Sequence, residues 1–108
     1  MAEIQLSWTK LPDATSDVTS IEVWRCDDGS VTTEQQFQAE LDKSTPVGIT
    51  SVFTNLDYNS SNPGSNDTVT PYATTTYNYA VVAKNAYGYK VGASTLDGTA
   101  VSSVEVVV

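Results

Sequence analysis

The stretch TTYNYAVVAKNAYG, from Thr75 to Gly88, constrains the fold more than any other part of the chain. Tyr77, Tyr79, Val81 and Ala83 alternate with Asn78, Ala80, Val82 and Lys84. Successive side chains of a strand point to opposite faces, so a period of two marks a strand with one face in a core. Asn85-Ala86-Tyr87-Gly88 then reads as a turn.

Other segments repeat the pattern. Ile4, Leu6 and Trp8 alternate with Glu3, Gln5 and Ser7, which predicts a strand closed by Leu11-Pro12-Asp13, with a polar loop from Ala14 to Ser20. The next strand, Thr19 to Cys26, places Ile21 and Val23 on one face and Glu22, Trp24 and Cys26 on the other. Asp27-Asp28-Gly29-Ser30 is a turn. Thr33 followed by Gln36 fits a capping box, and Phe37 and Leu41 share one helical face. A short helix is therefore expected over Glu34 to Asp42, ended by Thr45-Pro46. Ile49 to Leu56 is a further strand, with Val52 and Phe53 as its apolar members. Asp57 to Thr70 has low hydrophobicity around Pro63-Gly64 and reads as a loop, long enough to be functional or mobile. After Gly88 another loop runs through Gly98, and Ala100 to Val107 makes the last strand. The expected class is all-β with one small helical insertion.

A chain of 108 residues is expected to be one domain with a core that needs neither disulfides nor metals. Cys26 is the single cysteine, so no internal disulfide can form and the redox compartment stays open. No apolar run approaches the roughly 20 residues that cross a bilayer. Met1-Ala2-Glu3 leads straight into a strand pattern, without the basic and apolar regions of a signal peptide. Thirteen acids against five bases give a formal charge of −8, and Lys10, Arg25, Lys43, Lys84 and Lys90 form no basic stripe. Nucleic acid and anionic membranes are accordingly poor partners, because both are bound by neutralising phosphate. The acidic balance favours solubility.

The residues of catalysis are scarce. Without histidine the chain cannot build a Ser-His-Asp triad, imidazole acid–base chemistry or most zinc sites. Cys26 lacks a histidine to activate it and reads as a structural thiol. The six glycines are dispersed among turns, so no phosphate loop is present. Asp27-Asp28, Asp57 and Asp67 supply the oxygen type that calcium prefers, but their spacing fits no EF-hand and solvated turns explain them more simply. Asn59-Ser60-Ser61 and Asn66-Asp67-Thr68 are glycosylation sequons of a kind that arises readily by chance in a polar segment. No cofactor and no metal are expected.

Taken in order, Trp8, the pair Ile21 and Val23, and the series Tyr77, Tyr79, Val81, Ala83, Asn85 and Gly88 resemble the strand B, C and F positions of fibronectin type III domains. The resemblance covers nearly the whole chain. It implies a Greek-key β-sandwich, with Tyr77 similar to the tyrosine-corner residue. It also implies a non-enzymatic module for spacing, adhesion or assembly. Two departures stand out. Pro71 and Ala73 occupy positions where that family has Leu and Pro before Thr75. Only three residues precede Ile4, so a sandwich without strand A is expected.

Two contact surfaces follow. A strand through Ile4, Gln5, Leu6 and Ser7 without strand A presents an open edge. A strand of another polypeptide can complete it, or the missing strand was simply trimmed or replaced by a covering loop. Trp24, Cys26, Ala80, Val82 and Val107 form a candidate protein-contact patch on the outer face, unless the helix folds over it with Phe37 and Leu41 beneath. Tyr58, Tyr72, Tyr87 and Tyr89 are candidates for stacking on sugar rings, or for loop packing. The resemblance implies two settings: a phage virion, as head decoration or tail, or a spacer in a bacterial surface protein or secreted glycan-degrading enzyme.

Overall fold

A computed structural model describes residues 2–6, 20–56, 65–85, 88–91 and 101–108. Among these residues, seven strands and one helix follow in the order β1 (Ala2–Leu6), β2 (Ser20–Cys26), α1 (Glu34–Leu41), β3 (Thr50–Leu56), β4 (Ser65–Val69), β5 (Thr75–Asn85), β6 (Gly88–Val91) and β7 (Val101–Val106). The chain is an all-β fold, and its described residues form two antiparallel sheets and one short helix.

The larger sheet has five strands, ordered β3-β2-β5-β6 with β7 also on β5. Strand β2 lies along β5 from Ser20↔Lys84 to Cys26↔Asn78. Since a strand has two edges, β6 and β7 share the other one. Strand β6 takes Val82 to Asn85, and β7 takes Thr75 to Ala80. The two strands lie end to end along that edge of β5. The smaller sheet pairs β1 with β4, from Ala2↔Val69 to Leu6↔Ser65.

Side-chain alternation joins the two sheets. Ile4, Leu6 and Val69 from the small sheet share a buried cluster with Ile21, Val23, Tyr77, Tyr79 and Val81 from the large one. The opposite face of the large sheet is also buried. Cys26, Ala80, Val82 and Val91 form a second cluster with Phe37 and Leu41 of α1, together with Val31 and Ile49. Strand β5 is thus apolar on both faces because both are covered, one by a sheet and one by a helix. A strand with a single buried face was expected from its sequence.

Helix α1 begins as its sequence predicts. Thr33 Oγ1 accepts from the Gln36 amide at 3.2 Å, and Gln36 Oε1 accepts from the Thr33 amide at 3.2 Å. Eight residues are too few for a helix to persist alone in water, so its stability comes from packing. Phe37 and Leu41 supply that packing on the large sheet.

Two strands were not anticipated. Strand β4 lies within the segment read as a loop. Its inward positions are Asp67 and Val69, and its outward ones Asn66 and Thr68, so only one apolar residue marks the buried face. Strand β6 is four residues long and carries Lys90 between Tyr89 and Val91, too short a run for periodicity to separate from a loop. Trp8 lies outside the described residues.

Candidate interaction surfaces

The outer face of the large sheet is largely a second core. Cys26, Ala80 and Val82, expected to form an exposed patch, have no accessible surface (0% each). Phe37 and Leu41 cover them, which is the alternative that the amphipathic spacing of α1 left open. Trp24 is half-buried and packs against the same cluster, edge to face with Tyr89 at 6.2 Å between ring centroids. Only Val107 of that group is freely exposed. As a surface patch this grouping is overturned, because an eight-residue helix can be held only by burying apolar area and took the apolar face nearest to it.

A polar clamp finishes the cover. Gln38 Nε2 donates to the Tyr89 carbonyl at 2.8 Å and to Asp42 Oδ1 at 3.0 Å. Gln38 Oε1 accepts from the Val91 amide at 2.9 Å. One side-chain amide thereby meets β6 as a neighbouring peptide group would. An unpaired strand edge is a template for another chain, and Gln38 occupies part of this one. No sequence signal distinguishes Gln38 from the helix's other glutamines.

Beside the clamp, Glu22 is buried on the outer face. Its carboxylate accepts from Trp24 Nε1 at 2.9 Å and lies 3.6 Å from Lys84 Nζ. The Lys84 ammonium also sits 5.5 Å from the centre of the Tyr89 ring. Tyr89 is therefore a packing residue on β6. Tyr72 is fully exposed, while Tyr58 and Tyr87 lie outside the described residues.

Between the sheets, a buried polar bridge joins β4 to β2 and β5. Asp67 Oδ2 accepts from Arg25 Nη1 at 2.7 Å and from the Tyr79 hydroxyl at 2.7 Å. Arg25 and Tyr79 face each other across β2 and β5. Asp27 holds the other side of the guanidinium, which also lies 5.6 Å above the Tyr77 ring. Burial opposes the charged guanidinium, but hydrogen bonds to Asp27 and Asp67 outweigh it and raise its pKa. Burial first, then the Asp67 carboxylate, raises the Tyr79 phenol well above its ordinary value. The hydroxyl of Tyr79 thus reaches across the shared core to β4. Sequence reasoning passed over this bridge because Arg25 and Asp67 are far apart in the chain and each reads locally as a surface charge.

Of the carboxylates considered for calcium, Asp27, Asp28 and Asp67 are otherwise engaged, and Asp57 lies outside the described residues. Asp28 Oδ1 accepts from the Ser30 hydroxyl and amide at 2.6 and 3.0 Å and from the Cys26 thiol at 3.2 Å. The Ser30 bonds dominate, and they hold the Asp28 carboxyl down to about 2. Among the described residues, no group of three potential ligands is placed to hold a metal ion. Of the sequons, Asn66 and Thr68 are exposed on the same face of β4, and Asn59 lies outside the described residues. No helix among the described residues is long and apolar enough to cross a membrane.

The edge expected through Ile4, Gln5, Leu6 and Ser7 differs in detail. Strand β1 ends at Leu6, pairs with β4 on one side, and turns Ile4 and Leu6 into the core and Gln5 outward. Its second side has no strand partner among the described residues, and Ser7 lies outside them. No protein-family model, curated protein or solved structure matches the chain.

Proposed function

We propose that this chain is a non-enzymatic structural module of fibronectin type III kind, working through contact with other protein chains. The observation that carries the reading is the mismatch between its sheets. Among the described residues a two-stranded sheet lies over a five-stranded one, and Val52, Phe53, Val104 and Val106 of the large sheet are only partly buried. A core left partly open at its sides among the described residues suits a chain whose burial is completed by neighbours.

The setting we favour is a phage virion, with the module decorating the head or belonging to the tail. Its role there would be assembly, stabilisation or display. The resemblance of its strand pattern to sandwich domains displayed by tailed phages supports this setting, as does an acidic surface that limits uncontrolled self-association. Purification of intact particles from the native source tests it. The chain should co-purify in a fixed ratio to the major structural proteins. Recovery only from a cell-wall or secreted fraction would instead assign the module to a bacterial surface protein or a glycan-degrading enzyme.

A further inference from the structure

The turn between β2 and α1 holds a reactive pair of residues. The chain contains two Asp-Gly steps, Asp28-Gly29 and Asp97-Gly98, of which only the first lies among the described residues. At such a step the main-chain nitrogen of glycine can attack the preceding side-chain carboxyl, since no β-carbon crowds its approach. Gly29 is exposed at φ +76°, with open space around the position a Cβ would take. Asp28 is exposed as well. Solvent therefore reaches both partners of the reaction.

The Asp28 carboxyl is held from two sides. Its Oδ1 accepts from the hydroxyl of the exposed Ser30 at 2.6 Å and from the Ser30 amide at 3.0 Å. From the core side the same oxygen accepts from the Cys26 thiol at 3.2 Å, and Cys26 has no accessible surface. The thiol is itself fixed by the Val31 amide at 3.3 Å. Three donors on one oxygen stabilise the anion, with the Ser30 hydroxyl contributing most, and this carboxyl is held down to about 2. Ring closure needs the neutral acid, whose hydroxyl leaves as water, and a side chain free to turn toward the Gly29 nitrogen. The clamp opposes both requirements.

We infer that Asp28-Gly29 is a site of covalent self-modification, and that Ser30 and Cys26 hold it in check in the folded chain. The Gly29 nitrogen loses its proton and bonds to Asp28 Cγ, while the carboxyl hydroxyl leaves as water and a succinimide ring closes. Water then adds to the main-chain carbonyl of Asp28 in that ring and breaks its bond to the Gly29 nitrogen. The product is isoaspartate, in which the chain runs through Cγ and the main-chain carboxyl is free. One water leaves and one returns, and no oxidant, reductant or cofactor takes part. The change adds a methylene to the backbone between β2 and α1, and the carboxylate that Ser30 and Cys26 hold no longer exists at Cγ. A chain whose turn has opened thus carries a lasting mark. This inference goes beyond the contact-module reading and does not depend on it.

The test incubates the full chain at neutral pH, folded and in guanidinium chloride, with a reductant that keeps Cys26 free. Isoaspartate at Asp28 and at Asp97 is followed by peptide mapping with endoproteinase Asp-N, which cuts at aspartate and not at isoaspartate. In guanidinium the two Asp-Gly steps should react alike, since no fold separates them. In the folded parent Asp28 should react about tenfold more slowly than in the unfolded chain, because the neutral acid is scarce at a carboxyl held near 2. Ser30→Ala should speed Asp28 about threefold over the folded parent, the worth of one hydrogen bond. Ser30→Thr, which keeps the hydroxyl, should stay at the parent rate, and Asp97 should be unaffected by either change. Four results overturn the inference. They are equal Asp28 rates in the folded and unfolded parent, no isoaspartate at Asp28 in either, a Ser30→Ala rate equal to the parent's with near-ultraviolet dichroism unchanged, and a Ser30→Ala rise that is equal at Asp28 and Asp97. The last would trace the effect to lower overall stability rather than to the clamp.

Discussion

Arg25 Nη1 lies 2.7 Å from Asp67 Oδ2, and this contact ties the large sheet to the small one across their shared core. Arg25 lies on β2 and Asp67 on β4, so neither sheet alone contains the pair. The same carboxylate oxygen also receives the Tyr79 hydroxyl. Removing Asp67 would leave a largely buried cation and a buried phenol each short of a partner. Such a loss costs about 3 kcal/mol when a buried pair is broken. We expect Asp67→Ala to lower unfolding free energy in urea by about 3 kcal/mol, and Asp67→Asn, which keeps an acceptor for Tyr79, by about half that. A loss under about 1 kcal/mol in the alanine variant would mean that Asp27 alone satisfies the guanidinium.

The pH dependence should fall at opposite ends of the scale. Tyr79 keeps its proton to higher pH in the folded chain than in the unfolded one. Above about pH 10 the folded state therefore binds more protons, and stability falls as pH rises through the elevated phenol value. Asp28 behaves in reverse. Its carboxyl is held at about 2 in the folded chain against 3.8 ordinarily, so its contribution is complete above about pH 4 and disappears as pH falls toward 2. Tyr79→Phe should flatten the alkaline slope and Asp28→Asn the acid one, read from melting temperature against pH. An unchanged slope in either variant would remove that assignment.

Gln38 should act as an edge cap as well as a helix residue. In Gln38→Ala the Val91 amide loses its acceptor and the Tyr89 carbonyl its donor. Two such bonds contribute about 1–2 kcal/mol together. The Val91 amide should exchange faster than in the parent, while the far-ultraviolet spectrum keeps its helical component. Exchange at Val91 equal to the parent's would show that β6 is protected by something other than this side chain.

Phe37 has no accessible surface and forms the underside of α1 with Leu41. Phe37→Ala removes a buried ring at a cost of about 3–5 kcal/mol and frees an eight-residue helix that cannot persist by itself. Cys26 lies in the same cluster at 0% exposure, so its thiol reports the opening directly. Titration with a thiol reagent should be slow in the parent and much faster in the variant, under conditions where near-ultraviolet dichroism shows the sandwich still folded. Equal rates would place the helix elsewhere in solution.

Gly48 adopts φ +83°, and an added Cβ there would lie 2.8 Å from Ser30 Oγ. The left-handed region costs an ordinary residue roughly 1–2 kcal/mol, and the Ser30 hydroxyl already donates to Asp28. Gly48→Ala should therefore destabilise by about 2 kcal/mol in chemical denaturation. Gly29, at φ +76° with open space around its Cβ position, should show the backbone cost alone. A smaller effect at Gly48 than at Gly29 would contradict the steric part of this account.

Much of the fold was readable from local pattern. The alternation in Thr19 to Cys26 and in Tyr77 to Lys84 assigned inward and outward faces, and Ile21, Val23, Tyr77, Tyr79 and Val81 do share one core. Thr33 and Gln36 announced the start of α1, because a capping box is satisfied within a few residues of chain. The strand Ser65–Val69 was not readable. Its buried centre is Asp67, whose partner Arg25 lies 42 residues earlier.

Sequence alone determined the all-β class, the position of the helix and which residues could face a core, since these depend on neighbours one to four positions apart. Tertiary structure decided which faces were covered. It buried Cys26, Ala80 and Val82 under α1, turned Gln38 into a strand surrogate, and joined Arg25 to Asp67 and Tyr79. Each of those outcomes depends on chain segments meeting in space, and residue order alone does not encode whether an apolar face meets solvent, a helix or another sheet.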